Sequence, residues 1–309
     1  MPAIAPPSPG TWPALPLADW RDTHATLHMW TQVVGKTRLA LAPMENHWWQ
    51  CTLYVSERGL TTTPMPAGVR LLTVDFDFID HLLVLRTAEG ERRQFPLVAQ
   101  SVARFYERYR QALRELRIEP RMLGRPVEVD KAIPFAEDEE HAAYDRDAVQ
   151  RWWRALGQAD RVFKRFRSGF NGKQSPSHFF WGSFDLAVTR FSGRPAPRHP
   201  GGAPNCPDYV MVEAYSHECS SAGFWPGGGA VEEAAFYSYA WPEPEGYAAA
   251  PVQPAAAWYH PQAREFILPY QAVRTADDPD GTLLQFLQST YEAAARLGHW
   301  DRATLERRP

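Results

Sequence analysis

The chain has 309 residues, of which 44% are hydrophobic and 22% charged, and a formal net charge of −3. That length can bury a full core as one large domain or two ordinary ones. The charge gives no basic field for nucleic acid or an anionic membrane, and no apolar run reaches the ~20 residues of a spanning helix.

Residues 1–18 read as a proline-rich arm, with neither the positive start nor the apolar stretch of a secretory leader. Cys51, Cys206 and Cys219 are odd in number and far apart. That spacing argues against a disulfide framework or a cysteine zinc site and fits a reducing cytoplasm. Twelve tryptophans bring large buried area and polar edges that need partners.

The first helix is expected over Asp19 to Val34, with Trp20, Leu27, Trp30 and Val34 at helical spacing. His24 and His28 share a face of it, as a metal site needs. The glutamate of the zinc-protease pattern is missing, so the pair reads as a polar helix edge. In "VDFDFIDH", Asp75 and Asp77 share one side of a half-solvated strand. A helix follows with Val102, Phe105, Tyr109, Leu113 and Leu116 on one face, and then "FAEDEEHAAYDRD", which reads as an exposed acidic linker. Asp145 to Arg167 is a third helix, with Val149, Trp152, Trp153 and Leu156 as its stripe. Further strands lead to a last helix carrying Leu283, Leu287, Tyr291 and Ala294.

Residues 47–66, "HWWQCTLYVSERGLTTTPMP", align without a gap on residues 178–197, "HFFWGSFDLAVTRFSGRPAP", with His47 on His178, Pro64 on Pro195 and Pro66 on Pro197. The flanking helices correspond too. The expectation is an α+β fold of antiparallel sheets flanked by helices, built by internal duplication of a helix–strands–helix unit. The first repeat covers 19–119, a linker 120–144, and the second repeat 145–309.

The second repeat carries the chemistry. Read as a strand, "DYVMVEAYSHE" turns Val210, Val212 and Ala214 to the core and Glu213, Tyr215 and His217 away from it. "SFDLAVTRF" likewise turns Phe184, Leu186 and Val188 inward and Ser183, Asp185 and Thr189 outward. In a shared sheet, Asp185, Glu213 and His217 converge. A carboxylate beside a histidine fixes its tautomer and pKa for acid–base work or metal binding. The expected catalytic set is His178, Asp185, His217 and Glu218. Trp181, Glu213, Tyr215, Trp225 and Tyr237 are expected to bind the ligand, and a divalent metal is an option. The following "AGFWPGGG" has no phosphate-loop spacing, and nothing marks Cys219 as a nucleophile.

The strings "SPSHFFWGSFDLAVTRFSGR", "YSHECSSAGFWPG", "AAFYSYAWPEPEGY" and "FLQSTYEAAARLGHWDR", with "WPALPLADWRDTHATLHMWTQVVGKTRLAL" and "NHWWQCTLYV" at the front, resemble a bacterial family of uncharacterised proteins, a domain of unknown function. The resemblance spans nearly the whole chain. It implies a soluble bacterial protein, supplies no activity, and implies that the position of Cys219 varies within the family. The expected function is an enzyme acting on a small molecule through the His/Asp/Glu pocket. The alternative is a non-catalytic protein that holds a small ligand in an aromatic cleft.

Overall fold

The apolar stripes read from the sequence become the buried faces of four long helices. In the computed structural model, which describes residues 11–229 and 231–307, these are α1 (Arg21–Leu41), α2 (Val102–Glu115), α3 (Arg146–Ser168) and α6 (Pro279–Leu297). Ser101, Asp145 and Asp278 cap α2, α3 and α6 by accepting hydrogen bonds from first-turn N–H groups. The prolines among residues 1–10 lie outside the described residues. From Trp12 the chain is anchored, with Trp12 buried and its indole donating to Asp280.

Six strands follow α1: β1 (Tyr54–Val55), β2 (Gly59–Thr61), β3 (Met65–Ala67), β4 (Arg70–Asp77), β5 (Leu82–Thr87) and β6 (Arg92–Pro96). Their order is β1-β2-β4-β5-β6, with β3 also paired to β4. A second set follows α3: β7 (His178–Phe180), β8 (Asp185–Pro195), β9 (His217–Trp225), β10 (Ala235–Trp241), β11 (Trp258–His260) and β12 (Glu265–Pro269). Their order is β7-β8-β9-β10-β12-β11. Every pairing is antiparallel. The short helices α4 (Asp208–Ala214), α5 (Tyr270–Arg274) and α7 (Arg302–Leu305) complete the α+β fold.

The two sheets meet where Leu53 and Phe179 exchange main-chain hydrogen bonds of 2.9 and 2.7 Å. One hydrophobic cluster runs through both halves. Trp152 of α3 packs against Trp20 and Phe78 from the first half and Phe179 and Phe184 from the second. Each half thus has a long helix, six antiparallel strands and a second long helix. The ungapped register does not carry over. His47 sits in a 3-10 turn, Asn46–Cys51, with a left-handed backbone (φ 59°), whereas His178 is in a strand. Strand order differs between the sheets as well, and the second half carries helices α4 and α5 that the first lacks, so the structure does not confirm the expected duplication.

Two further expectations change. The acidic stretch after residue 134 packs against the body. Phe135 and Asp138 are buried, and the carbonyls of Asp138 and His141 accept from the first N–H groups of α2. The strand expected over residues 208–218 is the helix α4 followed by β9, which begins at His217. The pairing of β8 with β9 ends at Pro195–His217, so a strand upstream of His217 would have no partner on β8. The segment curls onto the 3-10 turn, where the Trp48 indole donates to the Val210 carbonyl at 3.0 Å.

Candidate functional site

Alternation along β8 turns Asp185, Ala187, Thr189 and Phe191 to one side and Leu186 and Val188 into the core. In register beside them come Cys219 and Ser221 of β9 and Tyr237 and Tyr239 of β10. This face is roofed by Lys36 and Leu39 of α1, the 3-10 turn, residues 123–128 and residues 206–215. Floor and roof enclose a cavity of about 390 Å³. Trp48, Trp49, Phe180, Trp181 and Phe191 form much of its wall, and exposed Leu123 and Tyr209 stand on its lining.

The polar groups of the floor are largely paired. Ser183 donates to Asp185 at 2.6 Å, and the Tyr237 hydroxyl donates to the other carboxylate oxygen. The Tyr215 and Tyr239 hydroxyls are 2.7 Å apart, and those of Thr189 and Ser221 are 2.9 Å apart. Burial raises the Asp185 carboxyl above its ordinary range, against the pull of its two donors.

Glu128 faces the same space. Its side chain makes no hydrogen bond to the described residues and lies against Gly182, where a Cβ would come 2.1 Å from Oε1. Only glycine leaves room for that approach. Burial pushes the Glu128 carboxyl up to about 7, Asp185 pushes the same way, and Lys36 opposes them. Its backbone is left-handed, φ 59°, as are those of His47, Trp48, Phe184 and Asn205 around the cavity. Such conformations cost about 1–3 kcal/mol each and persist where the surroundings impose them, often at functional sites. Gln32 of α1 imposes this one by gripping the main chain of Val127, while His28 Nε2 lies 2.8 Å from the Gly182 carbonyl.

Lys36 Nζ lies 5.4 Å over the Trp181 ring, and burial brings the amine down to about 8. The thiols are driven the other way by burial, Cys51 and Cys219 to about 12 and Cys206 to about 11. All three are free and none is poised as a thiolate.

Residues 12–307 match a protein family described as a family of unknown function, DUF5996. The chain belongs to the DUF5996 family. The match takes in every residue that lines the cavity. No curated protein and no solved structure matches the chain.

In this DUF5996 fold, Asp185, Trp181, Tyr215 and Tyr237 stand on the cavity wall, and the other expected residues do not. His178 is fully buried, with Nδ1 3.1 Å from the Thr52 hydroxyl, and burial lowers its pKa to about 3. His217 lies beyond the rim, with Nδ1 3.1 Å from the Ser216 hydroxyl and its ring edge against His47. Glu218 has the opposite strand parity and pairs with Arg194 and Ser192. Glu213, on α4 instead of a strand, accepts from the His47 N–H, and Trp225 ends β9 away from the cavity. His24 and His28 are partly buried groups with pKa values lowered by desolvation to about 3 and 4. Among the described residues, no three His, Cys, Asp or Glu side chains converge on a metal position. The reading from sequence missed Glu128, Lys36, Gln32 and Tyr239. Glu128 lies in an unpatterned stretch, and only the proline before Val127 hinted at a fixed turn there.

Proposed function

We propose that this DUF5996 protein is an enzyme that moves protons on a small, largely apolar substrate, with Glu128 and Asp185 as its acid–base groups. One observation carries the reading: two carboxyls, buried Asp185 and half-buried Glu128, face one aromatic-walled cavity, and Glu128 is pushed to about 7. A carboxyl at about 7 can both give and take a proton at working pH, as a general acid–base needs. Asp185, held by Ser183 and Tyr237, has a different environment, and paired carboxyls in unlike environments divide acid and base roles. The volume suits a molecule of modest size whose flat or apolar body lies against Trp49, Phe180 and Phe191. Three free thiols fit a reducing compartment such as the cytoplasm.

The aromatic wall also favours a second reading, a binding protein without chemistry. A thermal-shift screen of small aromatic and apolar compounds finds ligands, and mass analysis of each after incubation separates the readings. Conversion with an apparent pKa near 7, lost in both Glu128→Gln and Asp185→Asn, supports the enzyme. Ligands recovered unchanged, with affinity indifferent to either substitution, overturn it.

A further inference from the structure

We infer that Lys36 is an imine-forming lysine and that the substrates are small aldehydes or ketones with an apolar body. This deepens the acid–base reading and rests on it for its proton transfers.

Lys36 is only 4% exposed and lines the cavity, yet its amine forms no ion pair or hydrogen bond with the described residues. Buried lysines are otherwise almost always paired. Its neighbours do little to keep it charged. The thiols of Cys51 and Cys206 stay protonated and Glu128 titrates near neutrality, while the Trp181 face favours ammonium and iminium alike without offsetting burial. Burial has brought the amine to about 8. At about pH 7 its neutral fraction exceeds that of an ordinary lysine by about two- to three-hundredfold. A desolvated lysine in an apolar pocket is the form that attacks carbonyl carbon.

The step closes on groups already in the cavity. Neutral Nζ adds to the carbonyl carbon, and the C=O π pair moves to oxygen, which takes the proton of the Glu128 acid. The nitrogen returns a proton to the Glu128 carboxylate. That proton then goes to the hydroxyl, which leaves as water while the nitrogen lone pair forms the C=N bond. The sum is amine, carbonyl and Glu128 acid giving protonated imine, water and Glu128 carboxylate. The new cation sits over the Trp181 face, which stabilises it.

The chain has four lysines, so the site of attack can be mapped. The full-length protein is incubated with benzaldehyde or butanone and sodium cyanoborohydride, and the reduced adduct is located by peptide mass mapping. Lys131 and Lys164 are exposed partners of Glu140 and Asp160, and Lys173 lies 2.7 Å from His47 Nε2. Lys36 is expected to be labelled at least about tenfold faster than Lys131 or Lys164, reflecting its larger neutral fraction. Lys36→Arg, which keeps the charge but forms no imine, loses that adduct. Label on Lys131 and Lys164 with Lys36 unmodified overturns the inference. Glu128→Gln separates the two claims. Equal labelling of Lys36 in wild type and Glu128→Gln keeps the imine and removes Glu128 as its proton carrier. An unlabelled Lys36 beside a near-neutral transition in ligand conversion, abolished by Glu128→Gln, leaves the acid–base reading and removes the carbonyl substrate.

Discussion

Gln32 holds Val127 by both of its main-chain groups, donating to its carbonyl at 2.8 Å and accepting from its N–H at 2.9 Å. The amide is buried on α1, and the residue it steadies is followed at once by left-handed Glu128. Gln32→Leu strands both Val127 groups and should lower stability by about 1–3 kcal/mol. It should also abolish ligand-induced thermal shifts, because Glu128 is no longer held. A lower urea midpoint with unchanged ligand shifts would make Gln32 purely structural.

Glu128 should be visible in the pH dependence of stability. Its folded-state pKa of about 7 lies above the ordinary 4.5. The stability linked to the protonated acid is therefore full below 4.5 and is lost as pH rises through 7, by up to about 3 kcal/mol. Glu128→Gln removes that loss. The variant should melt higher than wild type at about pH 8.5 and near it at about pH 4.5. Equal differences at both pH values would contradict the raised pKa.

Gly182→Ala tests the close approach itself. The new methyl would stand 2.1 Å from Glu128 Oε1, and the far end of a flexible side chain can swing aside. Stability should change by less than about 1 kcal/mol, yet the near-neutral titration should disappear. In a Glu128→Gln background, Gly182→Ala should leave the pH dependence of stability unchanged. A titration that stays near 7 in Gly182→Ala would show that the carboxylate does not rest on Gly182.

Acid should unfold the protein from the opposite side. His24, His28 and His178 are held by burial at about 3, 4 and 3, below the ordinary 6.5. Their contribution is complete above 6.5 and falls as pH drops toward those values, at about 1.4 kcal/mol per pH unit for each histidine. His178→Asn keeps an N–H toward Thr52 and cannot take up the proton. Its stability deficit against wild type at about pH 7 should shrink at about pH 5. A deficit that stays constant would show that His178 does not titrate on unfolding.

The long helices were legible because their stripes are local. Val149, Trp152 and Leu156 announce α3 without knowledge of what covers them. Asp185 was legible for the same reason, since alternation along β8 is real. Glu128 was not, because Val127 before it is held by Gln32, 95 residues away, and no local period encodes that clasp. His217 and Glu218 misled because the alternation through "DYVMVEAYSHE" belongs to a helix and a strand end, and only the end of β8 at Pro195 decides between them. His178 follows the strand pattern, but a fully buried histidine and a site histidine look alike until the surroundings are known.

The bridge between Leu53 and Phe179 links the two sheets beside a cavity whose floor comes from the second half and whose roof draws on both halves and the stretch between them. A molecule lodged there acts as a rivet across the seam. The amide protons of Leu53 and Phe179 are then built-in reporters of occupancy. Their exchange with solvent slows when the cavity is filled, whatever the molecule's chemistry, and quickens when it leaves.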